Sequence, residues 1–421
     1  MLVLLLACAA PPADSAARAE CSPRAALPMG CGDLDCDGSA DLAFAQTENA
    51  AGAYDATSSV WWGSGFEAGA AGLLPTLGAV DVAAADLDGD DWPDLVFADV
   101  SDGQLRTVDS YVYWGGSAGF AVGRRAALPT VGVGDVEIAD VDGDGWLDLV
   151  FANRYDGGSA ASEDSYRVDV YVYLGGPDGY SVERRIDVPG FGAAQTAVGD
   201  FDQDGTMDLA LAAGTFWTDA SWVYFGGPDG WSVDTRIELP TYAPEGVVAR
   251  DLDADGWLDL VYANFYDALD LDIDSTVYWG GPDGFDPAVA TAVPTHGADD
   301  VISADLGGDG CEELVIANAM EGNFAELGFE ARSAVWAFGP GVREPTLMHE
   351  LPTVSAAAVA AGDVDADGVT DLVFANRYDV AGEAAPAVSY VYLGPDFTVR
   401  RDLGVAAAAG VALVGGQVGG R

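Results

Sequence analysis

The sequence predicts an all-β chain: a seven-bladed β-propeller of four-stranded blades, its ring closed by a C-terminal strand that completes blade one. Three observations predict it. A nine-residue acidic loop recurs seven times in 421 residues, with successive starts 51 to 60 residues apart. A proline stands eleven residues ahead of six of the seven copies. Valine, tyrosine and tryptophan abound beside 55 glycines, which suits short strands and tight turns. A repeat of this period builds a propeller or a solenoid, so it overrides the two or three domains that length alone would suggest.

From the N-terminus, Met1–Cys8 reads M-L-V-L-L-L-A-C, an apolar run that resembles a bacterial lipobox in which Cys8 carries the lipid. Either a lipobox or an ordinary signal peptide exports the chain. Residues 9–26 read as a flexible tether, and 27–421 as the propeller. Cys21, Cys31, Cys36 and Cys311 then remain, enough for two disulfides in any of three connectivities.

The third repeat shows the plan of a blade. Val136-Glu137-Ile138-Ala139 alternates into the loop D-V-D-G-D-G-W-L-D at 140–148, and Leu149-Val150-Phe151-Ala152 follows as a buried strand. After a polar stretch come Val170–Leu174, the turn G-G-P-D-G at 175–179, and an outer strand expected over Tyr180–Val188. The turn recurs at 226–230 and 280–284, and in a shorter form at 394–396. Four strands joined by hairpins make one blade.

The proline spacing closes the ring. Pro75, Pro129, Pro189, Pro240, Pro294 and Pro352 each precede an acidic loop by eleven residues, but Pro28 lies only five before Asp33. Blade one therefore lacks its innermost strand. At the other end, 406–414 follows Leu403-Gly404 as an inner strand without a blade, and Gly415 falls eleven residues after Gly404. This strand is expected to complete blade one and remove the exposed edges.

The loop D-x-D-x-D-G-x-x-D places carboxylates at positions 1, 3, 5 and 9, with a backbone carbonyl expected at 7. That is the order of oxygens in the first nine positions of an EF-hand, with glycine at 6 for the sharp turn. All are hard donors, which suit calcium better than zinc or copper. The predicted ligands are Asp33, Asp35, Asp37 and Asp41 in blade one; Asp86, Asp88, Asp90 and Asp94 in blade two; and Asp140, Asp142, Asp144 and Asp148 in blade three. Blade four offers Asp200, Asp202, Asp204 and Asp208, blade five Asp251, Asp253, Asp255 and Asp259, and blade seven Asp363, Asp365, Asp367 and Asp371. Blade two puts Asp91 where glycine is usual, in a left-handed conformation that aspartate tolerates. Blade six keeps Asp305, Asp309 and Glu313 but has Gly307 at position 3, so it should be the weakest of up to seven Ca²⁺ sites. Without cations, unit charges about 4 Å apart near a surface repel by roughly 4 kcal/mol per pair.

Together, D-x-D-x-D-G-x-x-D-L and Y-V-Y-x-G-G-P-D-G-[F/Y/W] resemble the FG-GAP/VCBS repeats, which build the seven-bladed head of integrin α chains and many bacterial surface proteins. The resemblance runs from about Leu27 to the C-terminus. It implies a calcium-stabilised propeller and, by analogy, adhesion or ligand binding.

Composition narrows the functions. Asp and Glu number 69 against 17 arginines and no lysine, a net charge of −52, which argues against nucleic-acid or anionic-membrane partners. A membrane is reached only through a lipid on Cys8, and a monomer at the cell surface or secreted is expected. Catalytic groups are sparse: His296 and His349 are the only histidines, and no serine-nucleophile elbow or H-E-x-x-H appears. A non-catalytic module recognising a glycan or protein is the first reading, a polysaccharide lyase or hydrolase the alternative. By hairpin parity the loops between second and third strands lie opposite the acidic loops. Their aromatic residues Tyr155, Trp217, Tyr266 and Tyr378 are the candidate ligand contacts, with packing between blades as the competing role.

Overall fold

The computed structural model describes residues 2–4, 34, 40–48, 53–63, 72–157, 163–213, 220–228, 230–268, 270–323, 326–377, 388–404, 409–412 and 414–415. Seven sheets follow the blade plan, antiparallel except where the chain ends meet in blade one. Blade three runs Val133–Ala139, Asp148–Asn153, Val170–Tyr173 and Arg185–Val188, hydrogen-bonded in that order. The outer strand is shorter than expected. Val182–Arg184 forms a 3₁₀ turn, and Tyr180 leaves the strand to stack on Trp114 of blade two, with centroids 6.4 Å apart.

The second strands explain why apolar runs stand where a two-faced sheet would alternate. Asp94–Asp99, Asp148–Asn153, Asp208–Ala213, Asp259–Asn264, Glu313–Asn318 and Asp371–Asn376 are buried at every residue. A neighbouring blade covers each face, so both parities must be apolar. Each Leu, Val or Phe so buried contributes about 1.5–3 kcal/mol.

Polar bonds set the blades in register. The tyrosine that ends the Y-V-Y segment, or its W-V-Y and T-V-Y counterparts in blades four and five, donates its hydroxyl to the proline carbonyl of the preceding blade. Tyr113 to Pro75 and Tyr173 to Pro129 are 2.6 Å, Tyr224 to Pro189 is 2.5 Å, and Tyr278 to Pro240 and Tyr392 to Pro352 repeat the bond. In blade six Trp336 takes this place, and its buried indole N–H has no partner. A second seam circles the channel, where inner-strand side chains accept the next blade's amide. Asp81 takes Val136 N–H, Asp135 takes Thr196, Gln195 takes Val247 and Asp300 takes Val359.

At the closure, Ala409–Ala412 pairs antiparallel with blade one's second strand through Ala45, Gln46 and Glu48. This is the edge to which the spacing assigned the C-terminal strand. Leu2–Leu4 pairs with Leu42–Phe44 on the same edge and runs parallel to Val414–Gly415. Two segments therefore share an edge that the sequence assigned to one. Cys8, the tether, and Cys21, Cys31 and Cys36 lie outside the described residues. Cys311 is disulfide-bonded, and its partner lies there too. Among the described residues no helix is long and apolar enough to cross a membrane.

One position departs from the blade plan and makes a test. Asn153, Asn264 and Asn318 end their second strands by accepting an amide after the preceding proline (2.9, 3.0 and 3.2 Å) and donating to a carbonyl at or just before the start of the third strand (2.8, 2.9 and 2.6 Å). Blade two has Asp99 here, fully buried, with no well-formed hydrogen bond at either oxygen. Burial pushes its pKa well above the carboxylate range, against partial relief from the Leu77 N–H and Arg125. A carboxyl raised on folding stabilises the fold while protonated, and that stability is lost as pH rises through the folded pKa. Asp99→Asn should therefore equal the wild type near pH 4 and exceed it increasingly toward pH 9. Urea denaturation across that range checks this, and a pH-independent difference would count against a buried neutral acid.

Candidate functional site

The acidic loops share one hydrogen-bonded form. In blade three, Asp140 Oδ2 accepts Gly145 N–H (3.1 Å), Asp142 Oδ1 accepts Asp144 N–H (3.1 Å), and Asp144 Oδ1 accepts Trp146 N–H (2.8 Å). The sixth residue is left-handed in all six loops where it is described, from Gly145 at φ 95° to Asp91 at φ 70°, so the aspartate in blade two tolerates that conformation as expected.

The ninth carboxylate does something the ligand pattern did not anticipate. Asp148 accepts Val141 N–H on Oδ2 and Gly175 N–H on Oδ1, both 2.7 Å, tying the acidic loop to the turn between third and outer strands. Asp41, Asp94, Asp208, Asp259 and Asp371 make the same pair of bonds at 2.6–2.9 Å. The turn must come very close for this. A Cβ on Gly175 would sit 2.2 Å from the Leu147 carbonyl oxygen, so glycine opens the turn for want of space. Burial raises the ninth carboxyls, Asp94 to about 7, Asp148, Asp208 and Asp371 to about 6, and Asp259 to about 8.

Carboxylate oxygens converge within 4.8 Å of one another in five clusters: Asp86/Asp88/Asp90, Asp140/Asp142/Asp148, Asp200/Asp202/Asp208, Asp251/Asp253/Asp255 and Asp363/Asp365/Asp371. Asp140 Oδ1, Asp200 Oδ1 and Asp365 Oδ1 are buried without a hydrogen-bond partner. Oxygen-only donors with orphaned lone pairs fit a hard divalent cation. The loops of blades three, four and five also border an open acidic groove of about 1040 Å³ beside Trp231. Asp144, Asp204 and Asp367 keep to their own loop amides. Asp33, Asp35 and Asp37 lie outside the described residues.

Blade six differs. Among the described residues Asp305, Asp309 and Glu313 form no such cluster, although Asp305 still accepts the Asp309 and Gly310 amides and Glu313 accepts that of Leu306. Its turn also differs. Phe338 stands in register where blade five has Gly280, and the hairpin runs on through Gly339 and Val342. That extension carries Arg343 onto blade five, with Nε 2.7 Å from Asp253 Oδ2 and Nη2 3.2 Å from Asp255 Oδ2.

On the opposite face, loops of several blades enclose a cavity of about 350 Å³ at the channel mouth. Arg154 of blade three grips Glu245 of blade five through two bonds of 2.6 and 2.5 Å, and Arg377 of blade seven lies 2.8 Å from Asp299 of blade six. Burial works against the Arg154 charge, but Glu245 outweighs it and raises the pKa. Burial lifts Asp299 and Asp300 to about 7 despite the guanidiniums near Asp299. Tyr155 and Tyr166 line the wall with ring centroids 5.8 Å apart, and Arg106 caps Tyr155 at 4.5 Å. Tyr266 is half-buried nearby, its pKa pushed to about 12 by burial and Glu245. Of the four predicted aromatic contacts, Tyr155 lines this cavity and Tyr266 lies near its Arg154–Glu245 pair, while Trp217 and Tyr378 lie outside the described residues. The ion pairs escaped sequence reasoning because their members stand 91 and 78 residues apart. His296 pairs with Asp272 at 2.7 Å and His349 packs edge-on against Phe397, and neither lines this cavity.

A ring of seven four-stranded blades with acidic turns on one face defines the class, a β-propeller. Residues 140–211 match the sequence model of the FG-GAP-like repeat, and the chain is a seven-bladed propeller that carries this repeat. No curated protein matches it. Among solved structures, a protein from Lactobacillus plantarum is similar at TM-score 0.53 and 13% identity, over 88% of this chain and 98% of that one. Putative 6-phosphogluconolactonases from Bacteroides fragilis (TM-score 0.53, 11% identity, 89% and 98% covered) and Bacteroides uniformis (0.53, 13%, 88% and 97%) are similar to the same extent. At this identity the likeness is one of fold.

The ninth carboxylate yields a prediction independent of any metal. In EGTA, Asp148→Ala strands two amides and should lower stability by about 2–4 kcal/mol, whereas Asp144→Ala, which loses one exposed bond, should cost under about 1 kcal/mol. Equal losses in urea titrations would remove the ninth position's special role.

Proposed function

We propose that the chain is an exported, calcium-stabilised binding propeller that recognises a glycan at its channel mouth and does no chemistry there. The mouth carries the binding reading: it joins paired guanidiniums and carboxylates from blades three, five, six and seven beside two tyrosine rings. Hydroxyl-rich ligands need donors and acceptors side by side and a flat apolar surface for the sugar ring, and this wall offers each. A cavity of about 350 Å³ suits one or two sugar rings better than a folded protein surface.

Calcium is supported by the orphaned oxygens of Asp140, Asp200 and Asp365 and by the convergence of three carboxylates in each cluster. The ion's part is to neutralise the loop and pin the hairpin, with blade six the poorest site. Export is supported by the Met1–Cys8 run and by the disulfide at Cys311, since disulfides persist in oxidising compartments. A lipid on Cys8 would hold the propeller at the cell surface.

One observation favours the alternative, a polysaccharide-active enzyme: Asp299, lifted to about 7 within a cleft, is poised as a general acid. Reducing-end release from a bound glycan, abolished by Asp299→Asn, would establish that reading; binding without turnover would exclude it.

Two outcomes are expected. Millimolar calcium should raise the melting temperature above that in EGTA, because the ion binds the native loop and not the unfolded chain; identical melting would remove the metal assignment. On a glycan array, Tyr155→Ala and Tyr266→Ala should weaken binding at least about tenfold, or about 1.4 kcal/mol, with little change in melting. Early melting with binding intact would make both rings packing residues.

A further inference from the structure

Blade five matches the acidic-loop pattern fully, yet it alone among the described clusters receives a guanidinium from the neighbouring blade. Arg343 arrives from blade six with its backbone fixed: Gly341 N–H bonds the Asp253 carbonyl at 2.6 Å, and Thr291 Oγ1 donates to the Arg343 carbonyl at 3.0 Å. Its guanidinium lies 5.0 Å from the Trp279 ring centroid, so the stem and head are held over blade five. Asp253 is almost wholly buried, and its Oδ2 is engaged by Nε at 2.7 Å. Asp255 Oδ2 is engaged by Nη2 at 3.2 Å. These are the third and fifth positions, half of the side-chain oxygens that a cation in this loop would use. Only one other arginine touches a cluster among the described residues: Arg401 reaches Asp365 Oδ2 at 3.4 Å with a single contact.

We infer that Arg343 is a built-in cation that takes the place of the metal in blade five, making this loop calcium-independent. Carboxylates two residues apart in a tight turn need a positive charge to sit between them. A guanidinium supplies one charge and directed donors without depending on the ion concentration outside, and its planar fork suits carboxylates. A second departure in blade six, in its turn, supplies it. Phe338 in place of the turn glycine forces the hairpin outward, and the longer hairpin delivers Arg343 to its neighbour.

The inference rests on the calcium reading above, and counting ions separates the two. Calcium stoichiometry is measured by isothermal titration and by metal analysis after gel filtration, for wild type, Arg343→Ala and Arg343→Gln, the last keeping much of the stem that packs on Trp279. The expected result is one more ion bound by each variant than by the wild type, lost again when Asp251→Asn is added. In EGTA both variants should melt earlier than wild type, and calcium should restore more of their melting temperature than it adds to the wild type. If the variants bind the same number of ions as wild type, Arg343 displaces nothing and the inference fails while the calcium reading stands. If no form binds calcium, both fail together.

Discussion

The ninth carboxylate of each acidic loop is the constraint on which the rest of that face depends. It sits at the start of the fully buried second strand, so its position is set by the core, and from there it holds two pieces of chain that would otherwise part. One oxygen fixes the loop's second amide, and the other draws in the glycine of the distant turn. The close approach then dictates residues that look unrelated in sequence. Gly115, Gly175, Gly226, Gly280 and Gly394 each stand where a Cβ would come within 2.1 to 2.4 Å of a carbonyl oxygen. The glycine of the turn and the last aspartate of the loop are thus two ends of one interaction. Removing the glycine, as at Phe338, releases the turn.

That same carboxylate joins the electrostatics of the loop to the stability of the blade. Burial raises its pKa, and the neighbouring aspartates at positions 1 and 3 push in the same direction. A cation among the three would reverse both effects, because it favours the ionised form that accepts the two amides most strongly. In blades three, four and seven, whose clusters include the ninth carboxylate, metal binding and hairpin stability would therefore be linked through that one side chain. The proposed metal is a structural device first: it acts on turns that face away from the channel mouth.

Much of this architecture was legible in the sequence, and the reason is repetition. Seven copies of the loop, the eleven-residue proline spacing and the Y-V-Y segments each report local geometry, so the blade count and strand order followed. The prolines even mark a bond, since their carbonyls receive the tyrosine hydroxyl of the next blade. What could not be read is what depends on one blade meeting another at unrelated positions. Arg154 with Glu245, Arg377 with Asp299, and Arg343 with Asp253 are single residues outside the repeat, and no period points to them. The outer strand of blade three was misread because Tyr180 is a good strand residue whose ring finds a better partner in Trp114. The second role of the ninth aspartate escaped because a ligand pattern explains that residue completely without it.

The two faces break the sevenfold repeat in different ways, and the breaks coincide with the candidate sites. Around the channel, Asp81, Asp135, Gln195 and Asp300 pass amide bonds from blade to blade, but Gly246 in blade five and Ala358 in blade seven occupy the same register without a side chain able to do so. Glu245 and Asp299 lie immediately before Gly246 and Asp300, and there they turn to Arg154 and Arg377. The seam that holds the ring and the mouth that would hold a ligand thus use consecutive residues of the same inner strands. A repeat that satisfied every amide identically would present a symmetric mouth with seven equal walls. Here the arginines come from blades three and seven and the acids from five and six, which makes the mouth polar in a fixed direction. A ligand entering it would meet an ordered sequence of donors and acceptors, and such an order is what the proposed module would need to tell one sugar epimer from another.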